Sequence, residues 1–161
     1  MKFLIDGMLG KLARWLRLLG YDVDYEKDVS DSQLISWADS RGCVLLTSDI
    51  MLHRLAVARG VKSYLVKGGS EAERLSRVAK RFNLNLDVNL QTSRCPTCGS
   101  PIKPVSKTSV IGKVPLTTYR AYRQFWVCIN PNCEKIYWKG SHWKKIYENL
   151  SKAKKLVDAS G

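Results

Sequence analysis

The period of the hydrophobic positions changes several times in the first ninety residues. Phe3, Leu4 and Ile5 form a short apolar run that stops at Asp6, with Gly7 behind it as a turn. This pattern predicts a buried strand over residues 2–5. From Met8 to Leu19 the apolar residues Leu9, Leu12, Trp15, Leu16 and Leu19 recur at helical spacing, and Gly20 is a stop. Residues 21–25 alternate, as a second strand does. Ser30 or Asp31 caps a helix to Arg41, with Leu34, Ile35 and Ala38 inward and Gly42 at its end. Residues 43–47 are continuously apolar up to Thr47, as in a central parallel strand, and lead into Ser48 and Asp49. A helix over 50–59, a strand over 61–66 and an amphipathic helix over 71–82 complete the series.

Strands alternating with helices predict an α/β fold, a parallel sheet with right-handed crossovers and helices on both faces. Residues 1–90 form this domain, and the polar stretch 83–93 reads as its linker. The remainder divides into a small β module over 93–147 and a basic tail over 148–161.

Cysteine spacing explains that small module. Cys95-Pro96-Thr97-Cys98 is one knuckle, and Cys128 and Cys133, with four residues between them, make the second. Two such pairs complete a tetrahedral Zn2+ site, which with four thiolates is closed and structural. Alternation over Val110–Leu116 and Thr118–Val127 places the ribbon strands there. His142 is a candidate replacement for one cysteine ligand. Cys43 reads as a buried apolar residue.

Charge sharpens the contrast between the halves. Residues 1–92 carry 14 Lys/Arg against 11 Asp/Glu, and residues 93–161 carry 13 against 3, for a net charge of +13 over 161 residues. So basic a C-terminal half suggests a polyanionic partner, since cations that neutralise phosphates release condensed counterions. Lys139, His142, Trp143 and Lys144 interleave cations with an aromatic, a pattern that suits stacking on unpaired bases or, equally, a small core over the ribbon. Lys11, Arg14 and Arg17, on one face of the first helix, are further candidates for phosphate contact. No run of 18 apolar residues occurs, so no membrane span is expected. The N-terminus carries no signal-peptide pattern, and a cytoplasmic location is the default.

Three acids stand where chemistry is expected. In an open parallel sheet the ligand crevice lies beyond the carboxyl ends of the strands. Asp6 follows the first strand, Asp49 follows the third, and Asp31 opens the helix between them. Clustered carboxylates with water suit Mg2+ or Mn2+. Each acid also has an ordinary structural reading as a turn or cap residue. Asp22, Asp24 and Asp28 are reserve candidates.

Residues 3–22, from Phe3-Leu4-Ile5-Asp6-Gly7 to Leu19-Gly20-Tyr21-Asp22, resemble the opening of the Mut-seven C-terminal ribonuclease domain family, PIN-like domains fused to a zinc ribbon. Leu45-Leu46-Thr47-Ser48-Asp49 is similar to its strand-to-acid motif, and Tyr137-Trp138-Lys139-Gly140-Ser141-His142-Trp143 to the stretch after its last cysteines. The resemblance implies a PIN-like fold and a Mg2+- or Mn2+-dependent ribonuclease, with Asp6, Asp31 and Asp49 as metal-binding catalytic acids. It implies RNA as substrate; ribosomal RNA or a ribonucleoprotein is a candidate partner. PIN nucleases usually carry one further acid on a middle helix, for which this chain shows no equivalent. A binding adaptor with a degenerate site is the alternative.

Overall fold

A computed structural model describes residues 1–160 of the chain. Strands β1 (Lys2–Asp6), β2 (Asp22–Glu26), β3 (Val44–Thr47) and β4 (Ser63–Leu65) form a parallel sheet in the order β2-β1-β3-β4. Helices α1 (Gly10–Leu18), α2 (Asp31–Arg41), α3 (Ile50–Ala58) and α4 (Glu71–Phe82) alternate with them. The chain moves from β1 to β2 in one direction and then crosses back over β1 to β3. Right-handed crossovers therefore place α1 on one face and α2 and α3 on the other.

The two cores obey this rule. Phe3, Ile5 and Leu46 pack with Leu12 and Leu16 of α1 and Leu75 and Val78 of α4. On the opposite face Leu4 and Leu45 pack with Leu34 and Ile35 of α2 and Leu52 and Ala56 of α3. Successive residues of β1 and β3 thus feed different layers. The strands are continuously apolar because both faces are covered.

Local chemistry sets the helix ends. Ser30 caps α2 by accepting the Gln33 N–H, and Gly42 closes it in the left-handed region at φ +64°. Asp49 caps α3, accepting the N–H groups of Met51 and Leu52. The expected helix over 8–19 begins later, because a 3-10 turn over Gly7–Leu9 precedes α1.

Beyond the sheet, β5 (Ile102–Val105), β6 (Phe125–Cys128) and β7 (Ile136–Tyr137) form a small antiparallel sheet. The expected strands over 110–116 and 118–127 are corrected here. A 3-10 turn over Lys107–Val110 and the short helix α5 (Leu116–Ala121) occupy most of that stretch. Gly112 at φ +74° and Pro115 at the α5 N-cap interrupt the alternation. The strands that form are those beside the cysteines, with Cys128 in register with Ile102.

The stretch expected as a basic tail lies mostly in helix α6 (His142–Ser160). It returns to the first domain and packs on α4, with Leu150 and Ala153 buried in the first core. The expected linker is packed as well: Leu86 joins that core, and Ser93 donates to the Leu18 carbonyl at 2.6 Å. Among the described residues no helix is long and apolar enough to cross a membrane.

Arg17 departs most from its expected place. It is only 6% exposed and turns inward rather than toward phosphate. Its Nε and Nη2 donate to the Val23 carbonyl at 3.2 and 3.0 Å, and Nη1 donates to the Pro96 and Thr97 carbonyls at 3.3 and 3.2 Å. Burial pulls its pKa down, and the negative sulfurs of Cys98 and Cys95 oppose that shift. The guanidinium therefore ties β2 to the first cysteine knuckle. Arg17→Leu strands three carbonyls, and we expect a loss of about 3 kcal/mol in urea unfolding. Arg17→Lys restores little, because one ammonium cannot span the same fork.

Candidate active site and metal centre

Asp6 ends β1 and Asp49 follows β3, the two strands that flank the point where strand order reverses. This is where an open parallel sheet leaves a crevice. A cavity of about 360 Å³ opens there, lined by Asp6, Glu26, Asp28, Asp31 and Asp49 together with Lys27. All three acids expected from the sequence therefore face one space.

A hydrogen-bonded chain positions two of them. Asp6 is buried; its Oδ1 accepts the Met8 N–H at 2.8 Å and its Oδ2 accepts the Thr47 hydroxyl at 2.5 Å. The Thr47 oxygen in turn accepts the Asp49 N–H at 3.0 Å. Thr47 is fully buried, so one side chain sets the relation between the ends of β1 and β3. The Tyr25 hydroxyl donates to the Gly7 carbonyl at 2.8 Å and pins the turn after Asp6. Asp49 uses Oδ1 alone in capping α3, and its Oδ2 accepts no hydrogen bond from the described residues. Asp31 is exposed on the first turn of α2, where Ser30 rather than Asp31 is the cap.

Glu26 is an acid that the sequence pattern does not single out. Strand β2 runs one residue past Tyr25, and its parallel register sets Glu26 beside Asp6. The available signal is the position itself, an acid at a strand's carboxyl end.

These carboxylates offer hard oxygen donors, which fit Mg2+ or Mn2+ by donor chemistry. They share a cavity without closing on a point. Among the described residues, the four cysteines are the one group of three or more potential ligands whose donor atoms all lie within 4.8 Å of one another.

That second group is the candidate metal centre of the ribbon. Cys95, Cys98, Cys128 and Cys133 converge, with sulfurs 3.8 Å apart for Cys95–Cys133 and 3.4 Å for Cys98–Cys128. A tetrahedron with Zn–S bonds near 2.3 Å has edges of about 3.8 Å, so the set fits Zn2+. Turns present both pairs. Gly99, at φ +84°, donates to the Cys95 carbonyl, and Cys133 and Glu134 both donate to the Asn130 carbonyl across the wider second pair. His142 lies outside the group, so the four-cysteine set stands without it.

Without a cation the thiols cannot all ionise. Burial raises Cys98, but hydrogen bonds from Ser100 and Cys128 outweigh it and bring the thiol down to about 6. Cys128 is pushed up to about 12, by burial first and then by its neighbours Cys98 and Cys95. A dication supplies the missing charge. The Tyr137 hydroxyl lies 2.9 Å from the Cys95 sulfur, within hydrogen-bonding distance.

The remaining expected contacts divide. Lys11 and Arg14 are exposed on α1, and Lys11 pairs with Glu71 at 3.1 Å. His142 and Lys144 are exposed at the start of α6. Trp143 is half-buried, donates to the Trp138 carbonyl at 3.1 Å and has the Lys139 ammonium over its ring at 5.5 Å. Trp138 instead packs toward Phe125 of the ribbon.

Compared with known protein families, residues 1–150 match the Mut7-C RNAse domain, a span that contains both the acid cavity and all four cysteines. Comparison with curated proteins and with solved structures gives no match. A match over nearly the whole chain, joined to this parallel sheet and four-cysteine ribbon, assigns the protein: it belongs to the Mut7-C RNAse domain family.

Proposed function

We propose that the chain is a Mg2+- or Mn2+-dependent ribonuclease that cuts RNA phosphodiesters internally at the acid cavity. The observation that carries this reading is the gathering of five carboxylates at the sheet's switch point in a chain of net charge +13. An acid pocket on so basic a protein is a poor site for bare phosphate and a good one for a cation that phosphate can then approach.

Asp6, Asp31 and Asp49 are the proposed ion-holding acids, with Glu26 beside Asp6 as a fourth. A divalent ion bound there supplies a more acidic water and positive charge for the phosphate oxygens. Asp6 and Asp49 are held by Thr47 and the backbone, so they need little reorganisation on binding. The exposed Asp31 carboxylate makes no hydrogen bond or ion pair with the described residues and is free to turn inward. Lys11 and Arg14 hold flanking phosphates. The ribbon, organised by structural zinc, extends the RNA contact through Lys139, His142, Trp143 and Lys144. Met8 and Met51 are exposed in the turns after Asp6 and Asp49, where apolar side chains suit the faces of unpaired bases. Ribosomal RNA or a ribonucleoprotein in the cytoplasm is the proposed setting.

A catalytically degenerate RNA-binding adaptor is the second reading. It is favoured by carboxylates that stay wider apart than the cysteines. RNA cleavage assayed with Mg2+ or Mn2+, and again after chelation, separates the two. The nuclease reading expects products that vanish with EDTA and return with added ion. Binding without products under every ionic condition would leave the adaptor.

A further inference from the structure

A second cavity, of about 270 Å³, adjoins the acid cavity. Gly7 and Met8 line both, so the common wall is two residues wide. Lys11, Trp15, Tyr25, Glu71 and Arg74 line the far side.

The charges in this cavity are unevenly satisfied. Glu71 takes the Trp15 indole N–H on Oε2 at 3.0 Å and the Lys11 ammonium on Oε1 at 3.1 Å. The Trp15 hydrogen bond, joined by Lys11, holds the Glu71 carboxyl below the usual range, so it is ionised at neutral pH. Lys11 is thereby paired from the solvent side, where its side chain stays 79% exposed. Arg74 is half-buried; its charge acts on the Glu71 carboxylate from a distance, but its guanidinium makes no hydrogen bond or ion pair with the described residues. A guanidinium lining a cavity with its donors open is a site for a planar or tetrahedral oxyanion. Beside it stand the half-buried Trp15 ring and Met8, which is 72% exposed. Gly10 keeps the floor thin, since a Cβ there would lie 3.0 Å from the Tyr25 hydroxyl.

We propose that this cavity is a subsite for one nucleotide of an unpaired strand, with Arg74 holding the phosphate next to the scissile one and Met8 and Trp15 lying against its base. The proposal rests on the nuclease reading of the acid cavity. A cation, an aromatic and a thioether in a cavity that shares a wall with the acid cavity match the needs of a single-stranded backbone and base. A duplex would keep that base stacked inside the helix and out of reach. Glu71 acts as a positioning residue that orients Trp15 and restrains Lys11.

The test uses the full zinc-loaded chain carrying Asp49→Asn to prevent cleavage, a short single-stranded RNA and its duplex. Arg74→Gln should weaken single-strand binding about tenfold and reduce the slope of log Kobs against log salt by about 0.7, one phosphate contact on a single strand. Arg74→Lys should restore the slope while recovering only part of the affinity. Melting curves check that both variants remain folded. Unchanged affinity and slope in Arg74→Gln would overturn the subsite, as would an equal loss on the duplex. If the protein without Asp49→Asn still cleaves RNA in that case, the nuclease reading survives alone. If it neither binds nor cleaves RNA, that reading fails and takes the subsite with it.

Discussion

Asp6→Asn combined with Asp49→Asn should lower RNA cleavage on the order of a thousandfold while leaving the fold intact. The size follows from removing two charged groups at the reacting phosphate, where even one lost stabilising contact costs about a hundredfold or more. The fold survives because asparagine caps a helix about as well as aspartate. An amide oxygen at position 49 can still accept the Met51 and Leu52 N–H groups that Asp49 accepts now. The amide that replaces the Asp6 carboxylate is close to it in shape and can keep the Met8 hydrogen bond, but the buried Thr47 hydroxyl, which already accepts the Asp49 N–H, loses the acceptor for its own proton. Removing charge from a cavity of five acids relieves repulsion and offsets that loss, so without divalent ions the variant should melt within a few degrees of the parent. Added Mn2+ should raise the parent's melting temperature and not the variant's, because only a bound ion stabilises by mass action. Initial rates on a labelled RNA, with melting curves alongside, read both effects. Cleavage that persists in the double variant would place the chemistry elsewhere.

The second large effect concerns the ribbon. Cys128→Ser should abolish binding of the one zinc expected per chain and unfold the residues around the knuckles. Structural zinc contributes about 10–16 kcal/mol to folding in small four-ligand modules, far more than this ribbon's core can supply. Phe125 and Val110 are its large fully buried apolar side chains. The damage should extend past the ribbon. Arg17 donates to knuckle carbonyls, and α6 must cross back from the ribbon to place Leu150 and Ala153 in the first core. The parallel sheet should persist at a lower melting temperature, with new protease cuts between Cys95 and Trp143. Acid should act in the same direction, since the ligands must lose their protons to hold the metal. Cys43→Ser is the control: Cys43 sits in the second core apart from the site, and the variant should keep its zinc. Retention of zinc by Cys128→Ser would show that another side chain completes the site.

Much of this architecture is legible along the chain. The switch between apolar runs and helical spacing locates four strands and four helices within a few residues. The run over 71–82 coincides with α4 because Ser70 caps it and Asn83 closes it in the left-handed region. Periodicity misplaces the ribbon strands, because alternation over 110–127 looks extended whereas cysteine geometry demands strands at the knuckles. It misplaces Arg17 for a related reason. The spacing of Arg17 matches Lys11 and Arg14, but no period can tell that a knuckle far along the chain will cover it.

Sequence alone determined the alternating α/β order, the cysteine set and the acids at strand ends, because each depends on neighbours within a few positions. Only the tertiary structure decided that β2 would lie beside β1 with Glu26 next to Asp6, that Thr47 would join Asp6 to Asp49, and that α6 would return to the first core. Those relations come from register and packing between segments far apart in the chain. Burial of shared apolar faces sets them, and no local pattern encodes which distant face will be met.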